Sequence, residues 1–146
     1  GWLTAPPALV TAVLAVKQYL TYVNGAPFQP AIAAGLRLPD AYFRGIAETL
    51  AHKRDILSDG LREAGFGVFP SDGTYFVVAD AAPLGFPDAV ELCRTLPDLA
   101  GVVAVPLGAF SRGEYAARTA SLVRFAFCKR DEVLASAARR LSALAR

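Results

Sequence analysis

The clearest chemical signal in this sequence is an arginine where a charge is out of place. In SLVRFAFCKRDE, residues 121–132, the span Leu122 to Cys128 reads as a strand. With period two, Leu122, Arg124, Ala126 and Cys128 share one face and Val123, Phe125 and Phe127 the other. Both faces are largely apolar, which leaves two readings of Arg124. In one it snorkels to water from a half-exposed face. In the other its guanidinium is partly desolvated and needs an anion. A carboxylate fits best, because the planar fork makes two parallel hydrogen bonds that fix orientation as well as charge. Where no Asp or Glu of the chain completes that pair, the carboxylate of a small substrate is the natural candidate.

No complete catalytic set accompanies this arginine. His52, the only histidine, lies in a helical stretch beside Lys53 and Arg54 and reads as a solvated helix residue. Lys17, Lys53 and Lys129 stand among helix or strand-end charges, whereas a nucleophilic lysine needs desolvation. Cys93 and Cys128 have neither CxxC nor metal spacing and read as small core residues of a protein from a reducing compartment. Phosphate-binding glycine patterns and metal-ligand spacings are missing. VRFAF resembles the RNP1 strand of RNA-recognition modules, but the glycine after the basic residue is absent and Cys128 and Lys129 replace the later positions. The formal net charge of +2, with no basic run longer than two, argues further against a nucleic-acid partner.

The elements that would position Arg124 follow from the patterning. The 146 residues suit one domain of ordinary size, yet 54% are apolar and only 19% charged, so apolar surface should seek a partner. The longest apolar run, Ala8 to Val16, is too short to span a membrane, and nothing basic precedes it as in a signal peptide. A soluble, cytoplasmic protein is the expectation. Residues 1–5 read as the end of a strand. A helix from Pro6-Pro7 to about Val23 is apolar nearly all round, as in helices buried in a larger body. Gln29 to Leu36 predicts a short helix, and Pro39-Asp40 opens a long one with Phe43, Ile46, Leu50, Leu57 and Leu61 as its stripe and Gly65 at its end. Strands Gly67–Phe69 and Thr74–Ala79 flank Ser71-Asp72-Gly73, a hairpin turn drawing on the freedom of glycine at positive φ. A helix Pro87–Leu96, a strand Gly101–Val105, a polar loop through Thr119, the Arg124 strand and a helix Arg130–Leu144 complete the chain. This order predicts an α/β (α+β) fold, a small sheet packed with helices in a two-layer sandwich. Residues 1–38 read as the edge of another body and 39–146 as the small domain itself. The absence of methionine and the opening GWLTAPP read as an excised piece.

The ordered run GWLTAPPALVTAVLAVKQYLTYV, NGAPFQPAIAAGL, GTYFVVAD, GVVAVPLGAF and LVRFAFCKRDEVLASAARRL resembles the C-terminal portion of class I/II aminotransferases of pyridoxal phosphate (PLP) fold type I. The likeness covers the whole chain and is strongest to the branch of kynurenine, methionine and succinyldiaminopimelate aminotransferases. It implies that the full-length enzyme moves an amino group between an α-amino acid and a 2-oxo acid. Gly1-Trp2 resemble the end of the motif that carries the PLP lysine, which implies that the lysine lies upstream, that the fragment is inactive alone and that no PLP binds it covalently. By resemblance, Arg124 binds the substrate α-carboxylate, and Tyr75 and Phe76 lie near the substrate side chain. The strand pattern alone leaves open which of those two points inward. Tyr22 matches an aromatic that reaches into the partner subunit's site of a homodimer. In this chain by itself, Arg124 should face water, an ion or a makeshift acidic neighbour. The alternative from another class is a non-catalytic binding or interaction module that retains the small-domain fold.

Overall fold

The structure, a computed structural model, describes residues 3–22 and 25–145. The chain divides into two units, Gly1–Tyr42 and Phe43–Arg146. In the first, Leu3 to Pro6 have no regular structure, so the expected strand at residues 1–5 does not form over its described part. Helix α1, Pro7–Leu20, starts where proline suits the first turn, and α2 spans Phe28–Leu36. Val23, the expected end of the first helix, lies outside the described residues. Neither helix buries a residue, and Leu9, Leu14, Val16, Leu20 and Phe28 are exposed.

Helix α3, Asp40–Glu63, begins at the end of the first unit and runs through the opening of the second. There follow β1 (Gly67–Val68), β2 (Phe76–Asp80), α4 (Ala89–Ala100), β3 (Val105–Pro106), α5 (Glu114–Arg118), β4 (Leu122–Ala126) and α6 (Asp131–Leu141). The strands form one antiparallel sheet in the order β1-β2-β4-β3. Val77 and Ala79 of β2 share their face with Val123 and Phe125 of β4, and Phe127 continues it. These residues form one buried cluster with Leu57 and Leu61 of α3, Leu92 and Leu96 of α4, and Leu134 and Leu141 of α6. The expected sheet-and-helix sandwich is therefore present, with the period-two alternation of β2 and β4 deciding which face is core.

Several boundaries differ from expectation for local reasons. Helix α4 does not stop at Leu96. Pro97 costs a backbone hydrogen bond, but Leu92, Leu96 and Ala100 bury one stripe, and the chain turns only at Gly101, left-handed at φ 59°. That moves the next strand to Val105–Pro106, a sheet edge where proline is tolerated. The expected polar loop contains a 3-10 turn at Leu107–Phe110 as well as α5. The β1–β2 connection takes its left-handed residue at Thr74, φ 63°, not at Gly73. Thr74 Oγ1 accepts from the Phe76 amide at 3.3 Å, and Ser71 Oγ reaches the Phe76 carbonyl at 2.8 Å, so side-chain bonds offset the strain that glycine would have avoided. Cys128 is exposed, because β4 ends at Ala126, and Cys93 only packs partly against the core. Neither is the fully buried residue expected. Burial nevertheless pushes the Cys93 thiol pKa up. Among the described residues no helix is long and apolar enough to cross a membrane.

Helices α3 and α6 are clasped twice. Gly60 is buried where an added Cβ would land on Ala138 Cβ and come within 3.1 Å of its Cα. Nearby, Lys53 Nζ lies 2.8 Å from Asp131 Oδ1 and also donates to the Lys129 carbonyl, while His52 Nε2 lies 3.3 Å from Asp131 Oδ2. The Lys53 hydrogen bond first, then the charges of Lys53 and His52, hold the Asp131 carboxyl below the usual carboxylate range. Gly60→Ala should lower stability by about 1–2 kcal/mol in urea unfolding, the overlap exceeding the gain in helix propensity, and Ala138→Gly should restore part of it. Because the folded pKa of Asp131 lies below the unfolded value of about 3.9, its stabilisation is fully present above that pH and lost as pH falls through the folded value. The unfolding midpoint of Asp131→Asn should therefore trail that of the parent at neutral pH, and the gap should close in acid.

Candidate functional site

Strand β4 lies in the sheet interior, with Arg124 opposite Val78 of β2 on one side and Val105 of β3 on the other. The residues that alternate away from the helices are Leu122, Arg124 and Ala126 on β4 and Phe76, Val78 and Asp80 on β2, all half-buried. Arg124 therefore leaves the sheet on the face opposite the main core.

Its surroundings are aromatic. Arg124 Cζ lies 4.1 Å from the Phe76 ring centroid and 4.3 Å from that of Phe110, both within cation–π range. The Nε atom is buried without a hydrogen-bond partner. Among the described residues no carboxylate pairs with this guanidinium, whose charge rests on two ring faces instead. The acidic neighbour offered as one expectation for the isolated chain is thus replaced by phenyl rings. A buried N–H without an acceptor costs roughly 1–3 kcal/mol, comparable with what cation–π contacts return, about 0.5–2 kcal/mol each. The arrangement holds the arginine in place without neutralising it.

The structure brings three of the four sequence-predicted site residues together. Phe76 is the member of its pair that faces Arg124, since Val77 points into the core. Tyr75, exposed at the start of β2, stacks on Phe76 with centroids 4.5 Å apart and planes at 45°, and its carbonyl accepts from the Phe127 amide at 2.9 Å. The loop before them is tied to α3 by Arg54 Nη1, which donates to the Ser71 carbonyl at 3.2 Å. Tyr22 belongs to the other unit, where it is exposed in a left-handed conformation at φ 57°. Phe110 was not foreseen from sequence. It stands in the 3-10 turn that the loop pattern concealed, and its only sequence signal was a place in the run GVVAVPLGAF.

A family model described as aminotransferase class I and II matches residues 1–141. The probable N-succinyldiaminopimelate aminotransferase of Mycobacterium tuberculosis is 49% identical over 99% of this chain, and the methionine aminotransferase of Escherichia coli is 33% identical over 99%. The chain spans 38% and 36% of their respective lengths. A solved structure of N-succinyldiaminopimelate aminotransferase from Mycobacterium tuberculosis superimposes with a TM-score of 0.86 and 48% identity over 96% of this chain and 36% of its own.

Proposed function

This chain belongs to the class I and II aminotransferases, and from that premise we propose that it serves as the C-terminal portion of an enzyme that moves an amino group between an α-amino acid and a 2-oxo acid, with Arg124 gripping the substrate α-carboxylate. In this reading residues 39–146 are the small domain and residues 1–38 the end of the large domain with its connecting helices. The full-length enzyme is a cytoplasmic homodimer. The observation that carries the reading is the guanidinium on the sheet face away from the main core, aromatic-lined and without a counter-ion among the described residues. The free-standing binding module gains no comparable support, because the matched relatives are aminotransferases.

Family members use PLP, but the described residues of this chain do not fit a seat for it. Lys17 donates to Thr21 Oγ1, Lys53 is engaged by Asp131 and the Lys129 carbonyl, and Lys129 is exposed. Lys53 is part-buried but held in an ion pair, and none is the desolvated, uncharged amine that imine chemistry asks of a lysine. The cofactor and its lysine would come from the rest of the full-length enzyme. What this chain's own residues contribute is orientation.

A carboxylate held by two parallel N–H bonds cannot rotate freely, so the bonds at the adjacent Cα take fixed directions. Such positioning contributes to rate by removing orientational freedom before the chemical step. Phe76 and Tyr75 present an aromatic wall beside the same arginine, consistent with contact to a substrate side chain. Tyr22 is proposed to reach the partner subunit's site in the homodimer.

Removing the charge is the direct test. In the full-length enzyme, Arg124→Leu should raise KM for the amino donor by roughly 30-fold or more, the scale for losing one member of a hydrogen-bonded charge pair. Steady-state kinetics indistinguishable from the parent enzyme would refute the assignment of Arg124.

A further inference from the structure

Two rings meet the Arg124 guanidinium, and they arrive from opposite neighbours of β4. Phe76 belongs to β2, while Phe110 ends the 3-10 turn that leaves β3. The guanidinium is therefore flanked from both sides of its own strand. Phe110 is 61% exposed, so burial contributes little to where its ring sits. Its ring centroid lies 4.3 Å from Arg124 Cζ.

Cation–π attraction places a cation over the face of an aromatic ring, whereas carboxylate recognition uses the N–H groups of the guanidinium. A ring beside the cation thus restrains the guanidinium without cancelling its charge. From this we infer that Phe110 is a positioning residue for substrate binding: it restrains the Arg124 guanidinium so that the terminal N–H groups meet an incoming carboxylate. The buried Nε, already sealed from solvent, is left out of that encounter, so the carboxylate is taken at the Nη edge. This inference rests on the reading of Arg124 as the carboxylate-binding arginine. A free arginine side chain has many rotamers, and a ring that restricts them lowers the entropy lost on binding.

The experiment compares Phe110→Leu, Phe110→Tyr and Arg124→Leu in the full-length enzyme. L-Glutamate is the amino donor, or whichever standard amino acid gives the highest kcat/KM if glutamate is poor. Leucine keeps apolar bulk and removes the π face, so KM should rise about 5- to 20-fold with kcat within about twofold, the signature of lost ground-state binding. Tyrosine should restore KM to within about twofold of the parent enzyme. Thermal unfolding of Phe110→Leu should match that of Phe110→Tyr, so that a difference in KM between them is not one of folding. A Phe110→Leu enzyme with unchanged KM, beside an Arg124→Leu enzyme that has lost its grip, would overturn the role of Phe110 and leave Arg124 standing. A tyrosine variant as weak as leucine would also overturn it. No effect of Arg124→Leu would remove the premise itself.

Discussion

The antiparallel pairing of β2 with β4 is the constraint on which the second unit turns. Its register sets Val77 against Phe125 and Ala79 against Val123, so four apolar side chains meet the helices together. A slip of one residue would exchange the faces, sending Arg124 into the cluster of Leu61, Leu92 and Leu141. An unpaired buried charge there would cost several kcal/mol, as much as a large part of the stability of a typical domain, about 5–15 kcal/mol. Core packing and the outward placement of Arg124 are thus one choice of register seen from two sides.

The same pairing assembles the aromatic surroundings. Phe76 stands opposite Ala126, two residues from Arg124 along β4, and the small alanine leaves the Phe76 ring room to lie over the guanidinium. On the other flank, β3 is only two residues long, and the chain turns at once into the 3-10 segment that delivers Phe110. The brevity of that edge strand is what puts a ring, and not a further rung of backbone, beside the arginine.

Arg124 was legible in sequence because a charge amid alternating apolar residues is an anomaly that period two exposes at once. Helix α3 and the alternating strands were legible for the same reason, a strong and regular apolar pattern. Phe110 and α5 were not, since neither a one-turn helix nor a loop ring leaves a periodic trace. Pro97 misled at the end of α4 because local propensity said stop while burial of Leu96 and Ala100 held the turn together. At Thr74 the neighbouring glycine was the expected left-handed residue, but the bond Ser71 donates to the Phe76 carbonyl and the one Thr74 accepts from the Phe76 amide offset that preference. Choosing between Tyr75 and Phe76 required the register, which depends on long-range pairing and not on the local string.

Aromatic rings are a better support for a binding arginine than an acidic side chain would be. A protein carboxylate would hold the guanidinium firmly, but by occupying the in-plane donors that a ligand must use, and it would cancel the charge that attracts one. The ligand would then have to break an ion pair before making its own. Phe76 and Phe110 hold the guanidinium by their ring faces, attracting its charge without cancelling it. The cost is a charge left only partly compensated, with Nε buried and unpaired. A carboxylate arriving at the Nη edge compensates the charge and leaves Nε as it was, so the uncompensated charge is the part of that cost that drives binding.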